Sequence, residues 1–103
     1  MTYSESDSNQ NVLKVSSQVL TPKTMQELKK IAEIGLQGWK ILDRWALDSP
    51  QKLQALEQEG FLILVNRLYQ QQQTEMDILD KRVDYPHLTD YELLTEHEIK
   101  TTL

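Results

Sequence analysis

The chain has 103 residues, three glycines, three prolines, no cysteine and a formal net charge of −5. A disulfide framework, a thiolate zinc site and a cysteine nucleophile are thereby excluded, and glycine and proline are too scarce for the turns of an all-β fold. The length fits one domain with a modest core.

The N-terminal stretch MTYSESDSNQN is polar and lacks the basic start and apolar run of a signal peptide. Residues 1–11 therefore read as disordered. NVLKVSSQVL, residues 11–20, is too irregular to be an independent element and is expected as an extended arm lying over the core or over a second subunit. The boundaries that follow are an N-terminal arm over 1–20 and a single helical domain over 21–103.

Thr24-Met-Gln-Glu27 has the form of a capping box, and Thr21-Pro22 offers a second start with proline at the first helical position. The spacing predicts one helix from there to about Asp48, because Ser49 precedes Pro50 and is biased away from helical geometry. Ser49-Pro50 opens the next helix as cap and first residue. Gly60 is expected to break it in a left-handed conformation, with Phe61 reaching Leu56 as in a Schellman ending. A further helix runs from Phe61 to about Val83. Pro86 marks the loop DYPHL, and Thr89-Asp-Tyr-Glu92 is a second capping box, with Leu88 and Leu93 placed as a hydrophobic staple. The short helix after it, to about Ile99, is expected to dock through Tyr91, Leu94 and Ile99.

Two seams of 3-4 spacing stand out. Met25, Leu28, Ala32, Gly35, Trp39, Leu42 and Ala46 form one; Leu62, Val65, Tyr69, Gln72, Met76, Leu79 and Val83 form the other. Together they predict an all-α fold of three to four helices built on an antiparallel helical hairpin, with a flexible N-terminal tail. In IGLQGWKILDRW, residues 34–45, both glycines fall on the apolar arc of the first helix at about 100° per residue. Each costs roughly 1 kcal/mol of helix propensity relative to alanine. They read as a notch for a closely approaching helix or ring, flanked by Trp39 and Trp45. Ile31, Ile34, Ile41, Trp45, Ile63 and Leu64 lie outside the seams and need further cover. The expected partner-binding surface is Gly35, Gly38, Trp39, Leu42 and Trp45, engaged by a second copy in a homodimer or by a larger protein.

Catalytic chemistry has little to draw on. Glu96, His97 and Glu98 diverge around a helix and do not converge on one ion, and the His-Glu-x-x-His spacing is absent. Glu75, Asp77 and Asp80 read as a solvated face without the apolar pocket that separates carboxyl pKa values. The expectation is a non-enzymatic protein with no cofactor and no metal.

From Asn11 to Gln58 there are seven bases and five acids, whereas Glu75 to Glu98 holds eight acids against Lys81 and Arg82. This is no phosphate-neutralising footprint, so nucleic acid is not expected as a partner. The alternative is a dimeric DNA-associated transcriptional regulator using Lys29, Lys30, Lys40 and Arg44. A helix-turn-helix over residues 49–70 would need polar residues where its second helix starts Phe-Leu-Ile-Leu-Val. The longest unbroken apolar run, Phe61 to Val65, is far short of the ~20 residues that span a bilayer, so no membrane partner is expected. The sequence thus reads as a small cytoplasmic interaction or regulatory protein working through an apolar helix surface.

Overall fold

The computed structural model describes residues 15–103, and the expectation of disorder over residues 1–11 lies outside that range. The fold is all-α. Residues 15–19 are helical; then follow α1 (Pro22–Lys29), α2 (Leu36–Asp48), α3 (Pro50–Glu59), α4 (Phe61–Leu79), a 3₁₀ turn (Asp80–Asp84) and α5 (Asp90–Glu96). α4 is the longest and central helix and packs against α2, α3 and α5.

The extended arm expected over residues 11–20 is not extended where it is described. Residues 15–19 form a helical turn that is tied down, with Ser16 fully buried and its amide and hydroxyl both donating to Asp43 Oδ1 at 2.9 and 2.7 Å. Thr21 caps α1 by accepting from the Thr24 amide, so the Thr21-Pro22 start is used and the Thr24 capping box is not. Thr21 also donates twice to Glu57 Oε2, at 2.9 Å each, fixing the start of α1 onto α3. Burial raises the Glu57 pKa, but the hydrogen bonds from Thr24 and Thr21 outweigh it and hold the carboxyl below its ordinary value.

The single helix expected from Thr24 to Asp48 is two helices. α1 ends at Lys29, and α2 starts only after Gly35, which sits in extended backbone at φ −104° and ψ −162° as the N-cap. Local propensity would carry the helix through this stretch; tertiary contact overrides it. Gln72 on α4 donates from Nε2 to the Glu33 carbonyl at 2.7 Å and accepts the Gly35 amide on Oε1 at 3.0 Å. One side chain thus pairs the backbone groups that the interrupted helix leaves open. The bend lets Ile34 enter the core beside Ile41 while Ile31 packs half-buried against it.

Gly60 breaks the chain between α3 and α4 at φ +143° and ψ +147°. This backbone is accessible to glycine, but it lies outside the left-handed region of the expected Schellman ending. The capping box at Thr89 forms in both directions, Glu92 amide to Thr89 Oγ1 at 3.1 Å and Thr89 amide to Glu92 Oε1 at 2.8 Å. α5 docks through Leu93 and Leu94, and Tyr91, expected to face inward, is 68% exposed.

Two apolar clusters result. The larger joins Leu20, Met25, Leu28, Ile34, Ile41, Leu42, Trp45, Ala46, Leu53, Leu64 and Leu68; the smaller joins Leu79, Leu93 and Leu94, with Ile78, Leu88 and Ile99 at its edge. Each fully buried leucine contributes about 1.5–3 kcal/mol relative to exposure. The seam expected on α4 is displaced around the helix. Leu64, Leu68, Gln71, Gln72, Glu75 and Leu79 are buried, whereas Leu62, Tyr69, Met76 and Val83 are exposed. On the first seam Met25, Leu28, Leu42 and Ala46 are buried, and Ala32 and Gly35 face solvent.

Candidate functional site

The residues expected to form a binding surface have dispersed. Leu42 and Trp45 have no exposed surface, Gly38 is buried, Trp39 is half-buried and Gly35 is exposed. The centre of the expected patch, Gly38, Leu42 and Trp45, is therefore core in the folded chain. The notch survives at Gly38 alone. A Cβ there would run into Gln72 Oε1 and meet Ile34 Cγ2 at 2.8 Å, whereas at Gly35 it would meet nothing within 4 Å. The occupant of the notch is the Gln72 side chain of the same molecule. Of the residues that needed further cover, Ile34, Ile41, Trp45 and Leu64 are buried within the chain and Ile31 is half-buried, whereas Ile63 stays 46% exposed.

A polar hub replaces the solvated acidic face expected at Glu75. Glu75 is fully buried among the α4 residues that face α2. Arg44 grips it as a fork, Nη1 to Oε2 at 2.7 Å and Nη2 to Oε1 at 2.9 Å. Gln37 Nε2 donates to Oε1 at 2.9 Å and Gln71 Nε2 to Oε2 at 2.7 Å. Burial raises the Glu75 pKa, but the Arg44 hydrogen bonds and charge, with those of Gln71 and Gln37, more than offset it and keep the carboxyl below its ordinary value. Gln71 in turn accepts from Arg67 Nη1 at 2.8 Å, and the Arg67 guanidinium lies 4.9 Å from the Trp45 ring centroid.

A signal for this hub exists in the sequence. Leu64, Leu68, Gln71, Glu75 and Leu79 recur at helical spacing, and a carboxylate inside such a stripe demands a buried cation. The competing seam through Leu62 and Tyr69 is the more regular of the two in sequence.

The hub removes one member of the basic face considered for DNA. Arg44 is committed to Glu75, Lys30 pairs with Glu27 at 3.3 Å, and Lys29 and Lys40 stand on different helices separated by the break. Near the C-terminal end, His97 ends α5 with Nδ1 3.1 Å from the Leu93 carbonyl and its ring edge-on to Tyr85. Among the described residues no three metal-ligating side chains converge, and no helix is long and apolar enough to cross a membrane.

The outward face of α4 is the most unusual surface. Of its nine exposed positions between Leu62 and Asp77, only Asp77 is charged, in a chain that is 26% charged overall. Leu62 is 72% exposed, Met76 43% and Tyr69 38%, and the three share one edge of the exposed arc at a spacing of seven residues. A straight helix drifts only about 20° per heptad, so this edge stays continuous. Leu36, also exposed, follows directly on the Gly35 amide that Gln72 holds. Comparison of the chain with protein-family models, with characterised proteins and with solved structures gives no match, and the reading of this surface rests on its geometry.

Proposed function

We propose that the protein is a non-catalytic interaction module and that it self-associates through the outward face of α4. The observation that carries this reading is the near absence of charge along that face. Interface centres are depleted in charged residues and enriched in tyrosine and methionine, whereas an ordinary solvated helix face mixes both signs of charge. The occupant is a second copy. On a molecule of net charge −5, pairing of like faces is tolerable where the face carries a single acid. An isologous antiparallel crossing at Tyr69 and Gln70 sets Ile63 of each copy opposite Met76 of the other, and Asn66 opposite Gln73. The apolar Ile63 and Met76 thus meet each other and the amides Asn66 and Gln73 meet each other, while Leu62 lies opposite Asp77 at the two ends of the contact. A small regulatory protein built this way presents two identical bodies joined at α4.

Light scattering and sedimentation test the reading. The expected mass in solution is twice the 12.1 kDa of one chain. Tyr69→Lys and Met76→Glu, both at exposed positions, should return the protein to a monomer with unchanged helicity. A monomeric parent chain at high micromolar concentration, or variants that associate as before, would overturn it.

A further inference from the structure

Beyond α5 the chain leaves helical geometry and crosses the hub as an extended segment. Its burial alternates: Ile99, Thr101 and Leu103 are half-buried, and Lys100 and Thr102 are exposed. That period of two marks an extended peptide with one side facing the body. Ile99 packs at the edge of the smaller cluster and Leu103 against the larger. Between them the peptide carbonyls are held by side chains, not by another backbone. Gln71 Nε2 donates to the Lys100 carbonyl at 2.7 Å and Arg44 Nη1 to the Thr101 carbonyl at 3.1 Å. Lys52 Nζ donates to the Leu103 main-chain oxygen at 3.3 Å.

The two inner donors are already oriented by Glu75, which receives the other bonds of the same Arg44 and Gln71 nitrogens. A buried carboxylate that fixes two donors towards a peptide backbone makes a preorganised receptor, and preorganisation lowers the ordering cost of binding. Carbonyls are common to every peptide, so the donors fix register, and the alternate inward positions supply the selection.

We propose that this groove is a peptide-binding site whose resident ligand is the chain's own residues 99–103. Its ligand in trans is an extended segment of a partner protein with the pattern apolar, any, small hydroxyl, any, apolar, as in Ile99-Lys-Thr-Thr-Leu103. The resident segment competes in cis at an effective concentration of order millimolar, as short tethers give. The groove therefore opens only to a ligand that outcompetes it or when the segment is released. The site is separate from the α4 outward face, so it stands or falls independently of self-association.

The test is fluorescence anisotropy with a labelled peptide spanning Glu98 to Leu103. The unaltered chain should bind it weakly, and the Leu103→Asp chain, whose resident segment has lost its apolar anchor, at least tenfold more tightly. A peptide with Asp in place of both Ile99 and Leu103 should not bind either chain. Tyr69→Lys should leave the peptide affinity unchanged. A folded Leu103→Asp chain that binds no peptide, or that binds the Asp-substituted peptide equally well, would overturn the proposal. Should Leu103→Asp fail to fold, the unaltered chain decides by NMR. Excess peptide must then move the Gln71 side-chain amide signals and those of residues 99–103, and their failure to move at several millimolar peptide would overturn it as well.

Discussion

Gly38→Ala separates the two physical roles that a helical glycine can have. On propensity alone the substitution should stabilise the protein by roughly 0.4–1 kcal/mol, since alanine narrows the unfolded ensemble and suits α2. The structure opposes this. The new Cβ would overlap Gln72 Oε1 and press Ile34 Cγ2 at 2.8 Å. The Gln72 amide is the far end of a flexible side chain and would ordinarily swing aside, but it is buried and bonded at both ends to the break between α1 and α2. Overpacking costs roughly 1–3 kcal/mol, and each displaced hydrogen bond adds about 0.5–1.5 kcal/mol. With the propensity gain subtracted, the expected net loss is about 1–5 kcal/mol. For a domain of this size each kcal/mol lowers Tm by about 4–8 °C, so thermal unfolding by circular dichroism resolves it. A double-mutant cycle sharpens the argument. In a Gln72→Ala background the clash with the amide is gone and only Ile34 Cγ2 still opposes the new methyl, so Gly38→Ala should cost clearly less than in the parent. Gly35→Ala, where the Cβ meets nothing, should stay within about 0.5 kcal/mol of neutral, a gain in chain entropy offset by the poorer cap. A Gly38→Ala protein as stable as the parent would refute the reasoning, and so would a loss of equal size in both backgrounds.

Arg44→Met leaves Glu75 buried without its cation and should cost about 3–5 kcal/mol in urea unfolding, whereas removing both charges with Arg44→Met and Glu75→Gln should cost clearly less than the single change. Because the folded pKa of Glu75 lies below its unfolded value, its ion pair contributes stability that is fully present above the unfolded value near 4.5 and is lost as pH falls through the folded one. Unfolding measured across this acid range should therefore be flatter in Glu75→Gln than in the parent, and an unchanged slope would count against the hub. Thr89→Ala removes one half of the capping box and should cost about 1 kcal/mol. Hydrogen exchange should report that loss over residues 90–98 while α2 keeps its protection; uniform loss would mean that α5 and the body unfold as one unit.

The legibility of this protein in its sequence divides along a physical line. Most signals carried by neighbours in the chain hold in the structure, although the Thr24 capping box and the Schellman ending at Gly60 do not form. Thr89 and Glu92 cap α5, Ser49-Pro50 separates α2 from α3, and Gly60 breaks the chain before α4, because caps, proline and positive φ act over three or four residues. Apolar periodicity made the fold all-α, and it put Leu28 and Leu79 on buried seams, but it set Leu42 on an expected partner-binding surface that the structure buries in the core. The tertiary structure decided what depends on partners far away in sequence. Gly35 weakens the helix locally and can cap the next one, but the position of the break depends on Gln72, 37 residues beyond Gly35, which bonds its backbone. Glu75 is one of many acids in the C-terminal third, and only Arg44, 31 residues earlier, makes its burial possible. Two stripes on α4 were nearly equal in apolar content, one through Leu62 and Tyr69 and one through Leu64 and Leu68. Periodicity fixes the angle between such stripes but not which of them faces inward. That choice follows from where α2 and α3 pack, so the same chain that revealed its helices kept its exposed surface concealed until they were assembled.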